Sequence, residues 1–519
     1  RGLVFSMANF LANKVSTVYP NAPAGIMYYG DPGVTKQFTQ SSLMQFSPNV
    51  GASFDPWGNG KTVFRLGAAL IFDNPNFFTG QRNQQNPPYA TAIANAQTSS
   101  SGPLSFSAPW SVGAITTSPF PQPQIPTPSQ AQYFPQSQYI ILPDRFHAQY
   151  TIQWTFSVQR QFAHGWQAQL DYIGNSTRHA PLGLPLNPSV FIPGVWGAGG
   201  TGCTGIVTTG AAAVKPGAAG TNCSTTGNKL SRYRLAIANP AQGNMFKGES
   251  GGSAIAGDNG TGNYNGLVAT VQHRLSSTFS LLANWTWSKC LSLDDAQGDL
   301  ANTRLQNPSN PSGDYGPCGS DYRHIENATL VTRSNFHFGN RITSLAINNW
   351  ELAPLIHITS GAVLNVIAGQ DNSLIGVGND RPNLVAGVPV YTKTTFRSGS
   401  GPSNRAYLNP AAFAQVTAPC GSNLNGCQYL GTFGNIRRNS FRTPPFLQFD
   451  AQISRNFQIH ESLAVTLRLE AFNVLNHPDF ALGSLGANQN LTSSTFGQVG
   501  QTATGNAARE FQGSFKVSF

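Results

Sequence analysis

The chain predicts an all-β fold: a transmembrane antiparallel up-and-down β-barrel, or about 11–12 strands of a larger one. Three observations carry this. Apolar and polar residues alternate with period 2 in segments of about 9–11 residues or more, the length a tilted strand needs to cross a bilayer. Charged residues make up only 10% of the 519, while mean hydropathy is −0.20. The polarity is therefore supplied by Asn, Gln, Ser, Thr and Gly, as in strands with one face in lipid and one in water. The connections alternate between short turns and long loops.

Taken in chain order, a first hairpin turns at Pro56-Trp57-Gly58-Asn59-Gly60. In the next, Tyr150, Ile152, Trp154, Phe156, Val158 and Phe162 alternate with Thr151, Gln153, Thr155, Ser157, Gln159 and Gln161, and Ala163-His164-Gly165 forms the turn. A third turns at Ser276-Ser277. There Phe279, Leu281, Ala283, Trp285 and Trp287 oppose Ser280, Asn284 and Thr286, with Leu282 out of pattern. A fourth short turn falls near Asn335 to Asn340, and Ala362 to Ala368 is a possible extension of the strand near Trp350. In the fifth, Leu447, Phe449, Ala451, Ile453 and Phe457 alternate with Gln448, Asp450, Gln452, Ser454 and Asn456. After Ile459-His460-Glu461, Leu463, Val465, Leu467, Leu469 and Ala471 alternate with Thr466, Arg468 and Glu470. The closing strand carries Phe515, Val517 and Phe519 on one face, with Ser514, Lys516 and Ser518 on the other.

A large antiparallel sandwich also alternates, but its strands average about 5–6 residues. It would not separate short turns from long segments at 74–145, 181–262, 291–320, 371–443 and 476–508. Eleven strands is an odd number, whereas bacterial single-chain barrels have even ones. With the absence of an initial Met before Arg1, this gives the expectation of a C-terminal portion of a longer precursor. Short turns are expected in the periplasm, with the C-terminus, and long loops outside the cell. No run of apolar residues is long enough for a transmembrane helix. The net charge of +10 has no Lys/Arg block, which argues against nucleic acid as a partner.

The loops are low in complexity. Pro119 to Pro128 favours an extended polyproline form, and Gly194 to Gly227 is rich in Gly, Ala and Thr. Such segments are expected to bury little apolar area and to move. Six cysteines fall as neighbouring pairs: Cys203 with Cys223, Cys290 with Cys318, Cys420 with Cys427. Loop disulfides are the preferred reading, against free thiols.

Chemistry-bearing motifs are sparse. Gly197-Ala198-Gly199-Gly200-Thr201-Gly202 fits GxGxxG, but no apolar strand precedes it and no helix pattern follows, so it reads as loop. Asp294, Asp295 and Asp299 offer oxygen ligands for Ca²⁺ without EF-hand spacing, and a solvated acidic loop explains them better. The nine histidines are scattered, with no catalytic constellation, so neither an enzyme nor a cofactor is expected. Asp171, Asp450, Arg468 and Glu470 lie opposite the apolar stripes, where they would line a wet interior. Mutual pairing explains them more simply than contact with a ligand. Tyr150, Trp166, Trp285 and Trp287 fit interface aromatics, or ordinary lipid-facing bulk.

Phe46 to Gly51 with Phe54-Asp55-Pro56-Trp57-Gly58-Asn59-Gly60-Lys61-Thr62 resembles a hairpin of the Oar-like TonB-dependent outer-membrane receptors of the acidobacterial type. So do Pro20 to Gly25 with Gly30 to Gly33, Ser157 to Arg160 with Asp171 to Asn175, and Asn263 to Leu267. Further matches are Asn284 to Lys289, Gly378 to Asn383, and Glu470 to Phe480, so the resemblance runs along nearly the whole chain. It implies that residues 1–519 are the C-terminal portion of the barrel, with the plug and an N-terminal β domain upstream. It also implies uptake of a nutrient across the outer membrane of a Gram-negative bacterium, coupled to TonB only through that plug. Implied partners are outer-membrane lipid and an unidentified small-molecule or polymer ligand. The terminal Gln512 to Phe519 resembles the signal read by the barrel-assembly machinery, departing at Ser514 where glycine is usual. Two other readings stand beside transport: a surface adhesion or matrix-binding protein working through its loops, and a passive pore.

Overall fold

The computed structural model describes residues 4–35, 45–73, 86–88, 107, 127–133, 139–141, 147–208, 215–246, 254–273, 279–293, 305–337, 339–378, 380–392, 405–416, 431–482, 489–502 and 507–519. Eleven strands form one antiparallel meander: β1 (Asn49–Phe54), β2 (Thr62–Phe72), β3 (Tyr150–Ala163), β4 (Trp166–Pro185), β5 (Ala254–His273), β6 (Phe279–Ser292), β7 (His324–Arg333), β8 (Trp350–Thr359), β9 (Phe446–His460), β10 (Leu463–Phe472) and β11 (Glu510–Ser518). Each pairs with its neighbours in sequence. β1 and β11 end the hydrogen-bonded path, and among the described residues no ladder joins them.

The register keeps one face largely apolar from edge to edge, with charged residues such as Arg160, Glu326 and Arg455 toward the strand ends. Phe54 faces Phe64, and Phe64 faces Val158. Leu66, Phe156, Tyr172, Leu267 and Trp287 form one cross-strand row. Farther along, Leu352, Ile453 and Leu469 form another, and Leu467 opposes Phe515. Since side chains alternate with period 2, a one-residue slip would have moved a strand's whole apolar set across the sheet. Many of these side chains are exposed, including Leu66, Phe156, Trp287, Ile453, Leu469 and Phe515. An exposed apolar surface spanning eleven strands far exceeds the few hundred Å² that a soluble monomer tolerates. One glycine on this face has a steric reason: a Cβ on Gly174 would stand 2.3 Å from the Trp154 indole, which lies over it across the β3–β4 ladder.

Short connections follow β1, β3 and β9. In the first, the Asp55 carboxylate accepts from the amides of Trp57 and Gly60, and Gly58 and Gly60 take positive φ. The turn at Ser276-Ser277 lies outside the described residues. The turn expected near Asn335 to Asn340 is instead a longer connection containing a helix, Arg341–Ile347, capped by the Asn340 side chain on the Ile342 amide. Its sequence lacks strand alternation, and Asn348 fastens it by bonds to Phe336 on both sides. Ala362 to Ala368 does not lengthen β8; Val363–Leu364 pairs with Phe441–Arg442.

The other end corrects the expectation of mobile loops. The buried apolar residues lie mostly in the long connections. Phe10, Tyr19, Ile26 and Tyr28 pack with Tyr139, Ile141, Leu186, Leu235 and Phe246. Leu364, Val366, Leu408, Phe413, Ile436 and Phe441 pack with Leu482 and Phe496. Within the Gly-rich segment, Trp196, Cys203, Ile206 and Cys223 form a third cluster. These segments form a crown of small cores, and β4 and β5, 20 residues each, rise into it. The polyproline stretch lies mostly outside the described residues.

Candidate functional site

The face opposite the apolar one is polar and hydrogen-bonded across strands. Gln153, Thr155, Asn284, Gln452, Arg468 and Glu470 lie on it. So do the four charged candidates, each with a partner. Both carboxylate oxygens of Asp171 accept from Gln169 at 2.9 Å. Asp450 accepts from Gln448 at 2.7 Å and from the Asn473 amide at 2.8 Å, which ties the end of β10 to β9. Arg468 stands 3.7 Å from Glu470. Arg65 donates to Gln159 at 2.7 Å, and Arg333 pairs with Glu351 at 2.9 Å. A row of amides crosses the middle of the sheet: Asn327 donates to the Asn284 side chain at 3.0 Å, and His357 Nδ1 lies 2.6 Å from the Asn327 oxygen. This face offers a dense set of neutral donors and acceptors with few uncompensated charges.

The crown is held by buried arginines that sequence reasoning missed. Arg381 and Asp314, with side chains 2% and 1% exposed, form a 2.6 Å ion pair. Arg381 also donates to the carbonyls of Ile436 and Gly313, while Asp314 accepts from the Gln306 amide. Arg438 donates to the carbonyls of Asp314 and Ser292. Arg442 pairs with Asp321, whose carboxylate also accepts from the Cys290 amide. Arg232 is fully buried and donates to Asn228 and to the carbonyls of Val190, Thr225 and Leu374. Burial lowers its pKa to about 10, against the opposing field of Asp371. Asp380 is pushed up to about 6 by burial, although it accepts from the amide and hydroxyl of Ser373; nearby Asp371 adds to the rise. The only advance signal was negative: these arginines sit in loops without alternation.

Cys203 is bonded to Cys223, and Cys290 to Cys318, each with Cα atoms 5.4 Å apart. The second bridge joins the end of β6 to the connection that follows it. Cys420 and Cys427 lie outside the described residues, as do Asp294, Asp295 and Asp299. Phe515 and Val517 sit on the apolar face opposite Leu467 and Val465, and Phe519 follows β11, almost fully exposed.

The histidines, scattered in sequence, are not all scattered in space. His147, His179 and Asp258 meet where β4 and β5 leave the regular ladder. His147 Nδ1 lies 2.5 Å from Asp258 Oδ2, and His179 Nδ1 3.2 Å from the Asp258 carbonyl. The pairing shifts register between Thr177 and Ala180, so period-2 reading could not place His179 beside Asp258.

This geometry is that of a family. The sequence profile of the outer membrane beta barrel domain matches residues 5–512, and the chain belongs to that family. It is a protein of the outer membrane. No curated protein matches the sequence. Among solved structures, the chain is similar to the outer membrane transporter YddB from Escherichia coli, with 8% identity and a TM-score of 0.41 over 90% of this chain and 40% of that one. It is also similar to a variant of the ferric enterobactin receptor PfeA from Pseudomonas aeruginosa, with 11% identity and a TM-score of 0.38 over 91% and 40%. A third is BauA, the ferric preacinetobactin receptor from Acinetobacter baumannii, with 8% identity and a TM-score of 0.36 over 91% and 36%. The chain thus spans 40% or less of the length of these structures.

Proposed function

We propose that this chain is the C-terminal portion of the barrel of an Oar-like TonB-dependent receptor, which takes up a nutrient across the outer membrane. The observation that carries the reading is the two-faced ladder, in which eleven strands pair in sequence order with a largely apolar, exposed face and a hydrogen-bonded polar face. In a closed barrel the polar face lines the interior. Its neutral amides and paired charges suit a surface that meets a plug and a polar solute. The Oar-like motifs, running in order along nearly the whole chain, supply the link to TonB. In this reading the plug and an N-terminal β domain lie upstream of residue 1. The long connections face the medium, and the C-terminus faces the periplasm. The ligand is a small molecule or a polymer held by the crown and the upper polar face.

The test uses the complete precursor in the outer membrane. Protease added to intact cells should cut within the long connections and spare the short turns. Uptake of the nutrient that induces the protein should stop when TonB is removed, while binding at the surface persists. Binding without any TonB-dependent entry favours the adhesion reading. Steady conductance of the complete protein in a planar bilayer, without energy input, favours the passive pore. Either outcome displaces the transporter.

A further inference from the structure

We propose that His147, His179 and Asp258 form a binding site for a divalent transition-metal ion of the zinc class, at the base of the crown. One ligand-capable atom from each residue lies within 4.8 Å of the others. The three come from three segments: the residues leading into β3, the upper part of β4, and the upper part of β5. His147 Nδ1 and Asp258 Oδ2 face each other, so a metal ion would enter between them in place of the proton they share. His179 would supply Nε2, because its Nδ1 faces the Asp258 carbonyl and can donate to it. A histidine whose other nitrogen is held by a carbonyl is the ordinary arrangement of a metal-ligating imidazole. The rings lie side by side, with centroids 4.9 Å apart and planes 32° apart. Asp258 is itself oriented, because Oδ2 also accepts the backbone amide of His147 at 2.8 Å.

Two nitrogens on one tetrahedral zinc stand roughly 3.3 Å apart, given bonds of about 2.0–2.1 Å. The donor atoms, all within 4.8 Å of one another, need to adjust to that spacing, and the 66% exposed His147 side chain has room to do so. Two imidazoles and one carboxylate leave a fourth position for water or an outside ligand. Ca²⁺ and Mg²⁺ prefer shells of oxygen, so the donor set favours zinc, or nickel and copper ions of like preference. Bound metal would clamp the approach to β3 onto the β4–β5 pair. The proposal does not depend on which solute the barrel carries. His179 adopts φ +57°, unusual for a residue other than glycine or asparagine. That conformation belongs to the register shift that brings its ring to Asp258.

The test titrates the complete precursor, purified from outer membranes in detergent, with Co²⁺ as a spectroscopic probe and then with Zn²⁺ to displace it. One equivalent of Co²⁺ should give visible bands of a four- or five-coordinate site, which Zn²⁺ removes and excess Ca²⁺ or Mg²⁺ does not. His147→Ala, His179→Ala and Asp258→Asn should each weaken Zn²⁺ binding at least about 10-fold, the lower bound for loss of even an outer-shell partner. His164→Ala, in an exposed short turn away from the cluster, should leave it unchanged. His147 is exposed, so its variant should keep the fold, shown by unaltered heat-modifiable migration. Absence of stoichiometric binding, or equal Zn²⁺ affinity in His147→Ala and the unaltered chain, overturns the proposal.

Discussion

Asp380 is the residue whose surroundings most oppose its charge. It is almost fully buried in the crown beside Asp371, and burial lifts its pKa to about 6. An unfolded aspartate titrates near 3.8. Between those values the folded state holds the proton and the unfolded state has lost it. Folded protein therefore binds more protons, and stability falls as pH rises through the window. The contribution is greatest below about pH 4 and is gone above about pH 6. Hydrogen exchange of residues 371–381, corrected for the intrinsic pH dependence, should show slower local opening at pH 4.5 than at pH 7. Asp380→Asn should flatten that slope, because the amide stays neutral and can still accept from the Ser373 amide. Equal slopes in the two proteins would place the titrating group elsewhere. Arg381, next in sequence, is a contrast: its charge is compensated by Asp314 at 2.6 Å and by two carbonyls, the condition under which a buried ion is tolerated.

At the scale of the strand, sequence and structure agree because alternation is local. Ile453 and Gln452 are adjacent, yet Ile453 lies between Leu352 and Leu469 on the apolar face, while Gln452 lies between Ala353 and Glu470 on the polar one. Near mid-strand in lipid, an arginine on the apolar face costs about 2–4 kcal/mol. Ile453→Arg should lower stability by that amount in urea unfolding from lipid vesicles. Gln452→Arg, which gains Glu470 across the ladder, should change it by less than about 1 kcal/mol. Equal penalties would mean that both faces are dry. The crown was illegible for the opposite reason. Its contacts join residues far apart, such as Arg232 with the Leu374 carbonyl, 142 positions away, and no period links the apolar members of each small core. Composition alone read those segments as mobile, because Gly, Ala and Thr dilute the few buried side chains that decide the matter. The helix at Arg341–Ile347 was missed similarly: about two turns of hydrophobic spacing are too short to stand out, and only the Asn340 cap marks it. The polar-face residues were legible from alternation, whereas the meeting of His147, His179 and Asp258 required a register shift that sequence does not display.

For the molecule as a whole, the open question of the fold is its two edges. β1 and β11 are the ends of the eleven-strand path, and among the described residues no ladder joins them. In the proposed reading further strands complete the barrel and unpaired edges would template aggregation, so the 519-residue chain alone should associate in detergent and the complete barrel should not. The last strand bears on assembly as well as closure. Phe515 and Val517 pack opposite Leu467 and Val465, so removing either loses cross-strand contact. Phe519 is different: it lies beyond β11 and is 99% exposed. Its deletion removes almost no packing from this chain, so any defect it causes must arise through recognition or closure against another strand. In the full-length protein, deleting Phe519 should reduce the heat-modifiable barrel in the outer membrane and leave precursor in the periplasm. Once folded, the deleted protein should unfold in urea at nearly the same midpoint as the intact one. Phe515→Ala should shift the midpoint as well as the yield. Unchanged assembly after deletion of Phe519 would show that the terminal aromatic is not read by the assembly machinery, and a lowered midpoint would show that it works through packing instead.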